Sequence, residues 1–430
     1  MPTKLDPTSS QREDTTRSWW TPVAALLAAG LVTALVACGG GGGGSSAGVG
    51  TGGTGAFAVG TISGFGSVIV NGVRYDDSSA TVDDDDDGGK SSSALAIGQV
   101  VEIRGSVNSD GLTGTASSIS YYSALKGPVT NVNVGAGTVT VFGQLVNVTP
   151  TTLFDNVSGL SALAVGNVIE VYGLPDASGA ITATRIEREA TTIAGFGGEY
   201  RIRGVVSATV ASAPGVRFTV GTVNVQVTDT SDPDVVRGTI ADGVFVKVRL
   251  AKTEISPNTY TATRVRVKER VYESGVSKAE VQGLISEFTS SSEPFKVNGY
   301  PVQLGTTVLY EHGEVGDLAN DVRIEAKGAV TNGVLVISKI EFDDDSNEGG
   351  VEGNDAPFEF HGVATCISCG GPTGSFEVRT GVTVQYDATT QFEGTLNAAT
   401  LNGARVEVKA IAQSGSGGTT LLATRIELDN

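Results

Sequence analysis

From residue 56 onward, apolar and polar residues alternate along short stretches, and each stretch ends in a turn built from Gly, Asn, Asp or Ser. A period of two puts alternate side chains on opposite faces of a strand, so the pattern predicts half-buried β-strands. The segment from Ala279 to Phe342 shows it most clearly, as AEVQGLISEF, PFKVN, YPVQLGTTVLY, DVRIEAKGAV and VLVISKIEF. These five predicted strands are joined by short turns, except for one longer polar loop, EHGEVGDLAN, between the third and the fourth.

The same layout returns five times. A glycine inside the opening strand recurs as Gly60, Gly127, Gly204, Gly283 and Gly362, at intervals of 67 to 79 residues. A turn before a Val-rich strand follows 38 to 41 residues later, at Gly98, Gly166, Gly243, Asp321 and Gly403. A closing Ile119, Ile186, Val265, Ile340 or Ile426 comes 19 to 23 residues after that. Three landmarks that hold register through five copies mark tandem modules, with expected boundaries 56–123, 124–191, 198–272, 277–345 and 357–430. Alternating strands with a glycine where the opening strand bends suit a small closed or nearly closed barrel. Five strands with the long connection between the third and fourth form an OB-like layout. The expected fold class is therefore all-β, with five tandem small OB-like five-stranded β-barrel modules. TTIAGFGG (191–198) and the acidic DDDSNEGGVEGNDAP (343–357) read as linkers, the second as a hinge.

The N-terminus has a different character. Lys4, Arg12 and Arg17 precede an uncharged apolar run from Trp19 to Ala37, the pattern of a secretory signal. Leu35-Val36-Ala37-Cys38 then resembles the bacterial lipobox, which implies a signal peptide over 1–37 and a lipidated Cys38 whose acyl chains hold the protein to a membrane. Residues 38–55 are rich in Gly and Ser, a tether with a coil-like reach of about 20–25 Å. Gly39, where an Asp would signal inner-membrane retention, resembles outer-membrane sorting in Gram-negative lipoproteins. The expected location is the bacterial outer membrane, with the periplasmic and surface faces both open. Both tryptophans lie in the signal, so the processed chain has tyrosine as its main fluorophore.

Charge and candidate chemistry narrow the function. The 29 Lys and Arg against 47 Asp and Glu give a net charge of -18, which repels nucleic acid and removes it as a partner. Two His and three Cys leave little for His-based catalysis, and neither an enzyme nor a cofactor is expected. Asp83, Asp85 and Asp87, followed by Gly88, match the first half of a calcium loop. Ala94 stands where the bidentate Glu belongs, which excludes an EF-hand and leaves a weak calcium site against a solvated acidic loop. Cys366 and Cys369 form a CxxC at the turn between the first two strands of the fifth module. In an exported protein this reads as a disulfide, and the turn offers no helix N-terminus to activate a redox thiol. A zinc set would need both His361 and His312, which lie in different modules. The G-x-S-x-G of Gly44 to Gly48 and the G-x-G-x-x-G of Gly48, Gly50 and Gly53 fall in the tether and reflect its composition. Phe218, Phe295 and Phe376 suit a core, whereas Tyr121, Tyr122, Tyr200 and Tyr260 are expected to be exposed, a weak hint of a binding face.

GFGSVIVNGVRY (64–75), LAIGQVVEIRG (95–105) and LKGPVTNV (125–132) resemble the repeats catalogued as domain of unknown function 5666. The resemblance spans essentially 56–430 and is loosest in the third module, where Leu250 replaces a strand-end Gly. It implies an OB-like module in an exported protein and brings no catalytic residues. The expected function is a non-enzymatic cell-envelope lipoprotein, a tandem β-barrel scaffold or binding array for an envelope protein or glycan. The alternative is a calcium-assisted adhesin or glycan-binding surface protein.

Overall fold

The computed structural model describes residues 54–84, 88–175, 179–212, 215–342, 357–415 and 418–429. The expected signal, Cys38, most of the expected tether, Asp85, Asp87 and the acidic stretch after Phe342 lie outside them. The described chain is strands joined by turns and four short 3₁₀ turns, and none of its helices is long and apolar enough to cross a membrane.

The second module shows the barrel plan. Its strands are Leu125–Asn133, Thr138–Val141, Gln144–Asp155, Val168–Pro175 and Ile181–Ala190. The first pairs antiparallel with the second and the fourth, and the second pairs antiparallel with the third. The fifth pairs antiparallel with the fourth and parallel with the third, from Val146 opposite Ile181, and so closes the barrel in the order 1-2-3-5-4-1. Closure leaves no free sheet edge inside the barrel. The same parallel third-to-fifth pairing recurs as Arg74 opposite Thr113, Asn224 opposite Thr259, Val302 opposite Leu335 and Val384 opposite Leu421. All five modules are thus small closed five-stranded barrels.

The recurring glycine of the opening strand has a closer reason than the bend alone. The turn between the second and third strands folds over it. A Cβ on Gly127 would lie 2.0 Å from the Phe142 ring, one on Gly60 1.9 Å from Asn71 Oδ1, and one on Gly283 2.5 Å from Asn298 Cβ. Asn71 and Asn298 sit in those turns at φ 52° and 48°, a conformation that Asn tolerates. Their side-chain amides donate to the carbonyls of Val59 and Gln282, each at 3.1 Å.

The barrels are fused into one body. Thr54–Phe65 pairs with Val100–Val107 and Val68–Val70 of its own barrel. It also pairs in parallel with Lys278–Ser286 of the fourth barrel, over Ala56 to Val59, and with Phe358–Val363 of the fifth, at Gly64 and Phe65. The second and third barrels join where Leu125 and Lys126 pair antiparallel with Ile202 and Arg201. Phe57 and Val59 of the first barrel are buried with Val281, Tyr300 and Ile324 of the fourth. Residues of the first and fifth barrels, such as Phe65, Tyr75, Phe360 and Val408, share one apolar cluster. The two barrels flanking the expected 343–357 hinge are therefore both attached to one strand of the first.

Two expectations need correcting. Tyr121, Tyr122, Tyr200 and Tyr260 are all buried: Tyr121 lies on the strand face of the core residue Ile119, whereas Tyr122 packs with Leu174 and both Tyr200 and Tyr260 meet Phe142, side chains of the second barrel. The expected 191–198 linker is docked, with Phe196 buried and stacked on Tyr200 at 5.8 Å while Lys252 Nζ donates to the Phe196 carbonyl at 2.6 Å. An aromatic side chain gains more from burial than a loose linker gains in entropy.

Candidate functional site

One position on the outer face of every barrel carries the chemically distinctive residues. It is the residue just before the bend glycine on the opening strand, together with its partners on the fourth and fifth strands. Backbone register makes the five versions equivalent. They are Val59 with Glu102 and Ser120, Lys126 with Glu170 and Glu187, and Arg203 with Lys247 and Arg266, then Gln282 with Glu325 and Glu341, and His361 with Glu407 and Glu427. Strand alternation turns these side chains away from the barrel cores, toward neighbouring barrels.

Each version solves its electrostatics differently. In the second barrel Lys126 Nζ lies 2.6 Å from Glu170 and 3.3 Å from Glu189, largely buried. Burial opposes the ammonium charge, but the two carboxylates outweigh it and raise its pKa. The third barrel reverses the sign. Burial, with Lys268 and Arg270 alongside, pushes Lys247 down to about 5, and the charge of Asp83 in the first barrel opposes that shift. In the fourth, burial and the neighbouring Glu280 raise Glu325 well above the usual carboxylate range. In the fifth, His361 is buried with Nε2 2.7 Å from Glu359 and Nδ1 3.1 Å from Asp429.

Two trios have ligand-type atoms within 4.8 Å of one another, namely Glu359, His361 and Glu407, and Glu170, Glu187 and Glu189. In the second, protein cations already hold the carboxylates, Lys126 those of Glu170 and Glu189 and Arg185 that of Glu187, and in the first Lys409 Nζ lies 4.0 Å from Glu359 and the His361 ring binds it directly. Both trios are accordingly read as internal charge clamps. Beside the His361 trio a cleft of about 560 Å³ opens between the first and fifth barrels, lined among others by Gly66, Asp77, Ser92, His361 and Arg379. Arg379 spans it, donating to the Ser92 carbonyl at 2.9 Å and lying 4.3 Å from the centre of the Phe65 ring.

The residues singled out from the sequence fall as follows. Cys366 and Cys369 are bonded to each other, on and just after the strand Thr365–Ser368. His361 is apart from them in its role and His312 belongs to the fourth barrel, where it lies 3.9 Å from Glu341. Asp83 ends up against the third barrel, beside Asp84, whose Oδ2 is 3.5 Å from Arg201. Asp85 and Asp87 of the same run, and Cys38, lie outside the described residues. With Asp83 facing Lys247, 1 mM calcium is expected to leave the melting temperature unchanged within about 1 °C, since occupancy at the dissociation constant adds only about 0.4 kcal/mol. A rise of several degrees, reversed by EDTA, would instead make the run a calcium site.

Sequence reasoning missed the outer-face position altogether, although a signal was present: the residue before each bend glycine changes from Val to Lys, Arg, Gln and His.

No curated protein matches the sequence. Among solved structures, a similar one is drosophila Unr CSD456, 15% identical, covering 53% of this chain and 96% of that chain with a TM-score of 0.14. At that score nothing about this chain follows from the likeness. A family model described as "Domain of unknown function (DUF5666)" matches residues 58–120, 126–187, 282–341 and 366–427. It leaves out the third barrel, which nevertheless has the same strand pairing and differs at the outer-face position by its reversed charge. More than half of the chain is matched, in four barrels of one repeated plan, and the chain belongs to the DUF5666 family.

Proposed function

We propose that the protein is a non-enzymatic lipoprotein of the bacterial cell envelope, held at the outer membrane through acyl chains on Cys38. Its five fused barrels act as a scaffold or binding array for an envelope protein or a glycan. The observation that supports this most is the sharing of Thr54–Phe65 among three barrels. Modules of this size are near the lower limit of independent stability, and shared strands turn them into one extended surface. Repetition of weak sites on such a surface gives affinity by avidity. The buried side chains of Lys126 and His361 and their carboxylates are occupied in joining strands and barrels.

Two measurements test the reading. Cys38→Ser is expected to abolish incorporation of a tagged fatty acid and to move the protein from the membrane pellet to the soluble fraction; full retention in the pellet would identify a plain membrane anchor. Crosslinking of the full-length protein in its native envelope, followed by mass spectrometry, is expected to recover a stoichiometric envelope partner. Recovery of the protein alone would remove the scaffold role and leave glycan binding as the array's purpose.

A further inference from the structure

The fifth barrel carries a titratable version of a clamp that is permanent in the second. Lys126 and His361 occupy equivalent positions, each opposite a fourth-strand glutamate, Glu170 or Glu407. The second partner is equivalent too. Glu189 stands two residues after Glu187 as Asp429 stands two after Glu427, and it is Glu189 that holds Lys126 and Asp429 that holds His361. Lysine keeps its charge across the physiological range, whereas an imidazole loses it.

Both residues whose carboxylates hold the ring also attach the fifth barrel to the first, Glu359 through its backbone and Asp429 through its side chain. Glu359 belongs to the strand that pairs with Gly64, and a Cβ on Gly64 would lie 1.9 Å from the Glu359 carbonyl oxygen. Asp429 lies 3.9 Å from Arg74 of the first barrel and 3.0 Å from Arg405 of its own. The backbone of His361 packs on Gly66, where a Cβ would sit 2.1 Å from the His361 carbonyl oxygen. A protonated imidazole donates from both nitrogens and satisfies Glu359 and Asp429 together. A neutral one has a single donor, so one carboxylate then faces a lone pair.

We propose that His361 makes the junction between the first and fifth barrels a pH-sensitive latch, closed while the ring is protonated and loosened when it is not. The inference goes beyond the scaffold reading and does not depend on it. The groups that bear on the ring are Glu359 on its own strand, Glu407 on the next, Asp429 beyond the last, and Arg74 from the first barrel, with Lys409 4.0 Å from Glu359. Burial and Arg74 oppose the charged ring, the hydrogen bonds to Glu359 and Asp429 favour it, and the net pKa is raised. A raised pKa gives stability that is fully present below the unfolded value near about 6.5 and is lost as the pH climbs through the folded value.

Hydrogen exchange of the full chain, corrected for the intrinsic pH dependence of exchange, tests this at pH 6 and pH 9. Protection of amides in Gly64–Val68 and Phe358–Val363 is expected to fall about tenfold for each unit by which the folded pKa exceeds the unfolded one. Protection in the second barrel, with its lysine clamp, is expected to stay level. His361→Lys should keep the junction protected at both pH values, and His361→Gln should leave it poorly protected at both. Equal junction protection at the two pH values, or an undiminished fall in His361→Lys, would overturn the latch. Should a variant fail to fold, the wild-type comparison of junction with second-barrel peptides decides alone: a parallel fall in both would also overturn it.

Discussion

Lys126→Met is expected to lower the unfolding free energy by about 3 kcal/mol at neutral pH, the cost of leaving a buried charge without its partner. The lysine lies 2.6 Å from Glu170 and 3.3 Å from Glu189, with side-chain exposures of 13%, 8% and 28%. Its removal leaves two carboxylates in the same poorly solvated place. Burial already raises Glu189, with Lys126 acting against the shift and Glu170 adding to it. Without the lysine the folded pKa of Glu189 rises further, so the folded state takes up a proton more readily than the unfolded one. The deficit therefore shrinks as the pH falls toward 5, and a pH series of urea midpoints should show that recovery. Lys126→Met combined with Glu170→Gln should restore part of the loss, because one of the two stranded charges is gone. A loss below about 1 kcal/mol in the single variant would mean that water reaches the clamp and that its geometry matters little.

Gly66→Ala should be as damaging, and in a different place. Gly66 has φ 131°, a region that only glycine occupies readily, which by itself costs on the order of 1–3 kcal/mol for a side chain. The added methyl would also lie 2.1 Å from the His361 carbonyl oxygen and 2.5 Å from His361 Cβ, so the first and fifth barrels must separate to admit it. A total loss of about 3 kcal/mol or more is expected. Peptides around Phe358–Val363 should become susceptible to proteolysis while the second and third barrels keep their protection. Gly72→Ala is the control. It also has positive φ, 70°, yet nothing lies within 4 Å of the added atom, so it should cost only about 1 kcal/mol of backbone strain and leave the junction intact. Equal behaviour of the two variants would show that the junction tolerates the methyl group.

Much of the architecture was legible before any coordinates, for reasons that particular residues make plain. Val139 and Val141, and likewise Val223, Val225 and Val227, alternate with Thr140, Asn224 and Gln226 and all end in a core, since the side-chain period of a strand is fixed by backbone geometry. The bend glycines were legible because no other residue leaves room for the turn that folds over them. The third module was legible through the same landmarks although its sequence departs furthest from the repeat. Tyr122, Tyr200 and Tyr260 misled because side chains of the second barrel, Leu174 or Phe142, help to cover them, and alternation within a strand says nothing about what lies beyond the module; Tyr121 shares the strand face of Ile119, and alternation alone places it inward.

The candidate site shows the same division. Lys126, Arg203 and His361 each precede a glycine at the same place in the repeat, and each looks in the sequence like an ordinary polar residue on a solvated strand face. Their roles depend on groups distant in the chain, such as Arg74 for Asp429 or Asp83 for Lys247. The sequence by itself determined the strands, their count and the closed barrel, because local alternation and glycine placement act within a module of a few tens of residues. Only the tertiary structure decided which outer faces meet and which charges are buried there, because docking depends on shape and charge complementarity between surfaces whose residues lie hundreds of positions apart.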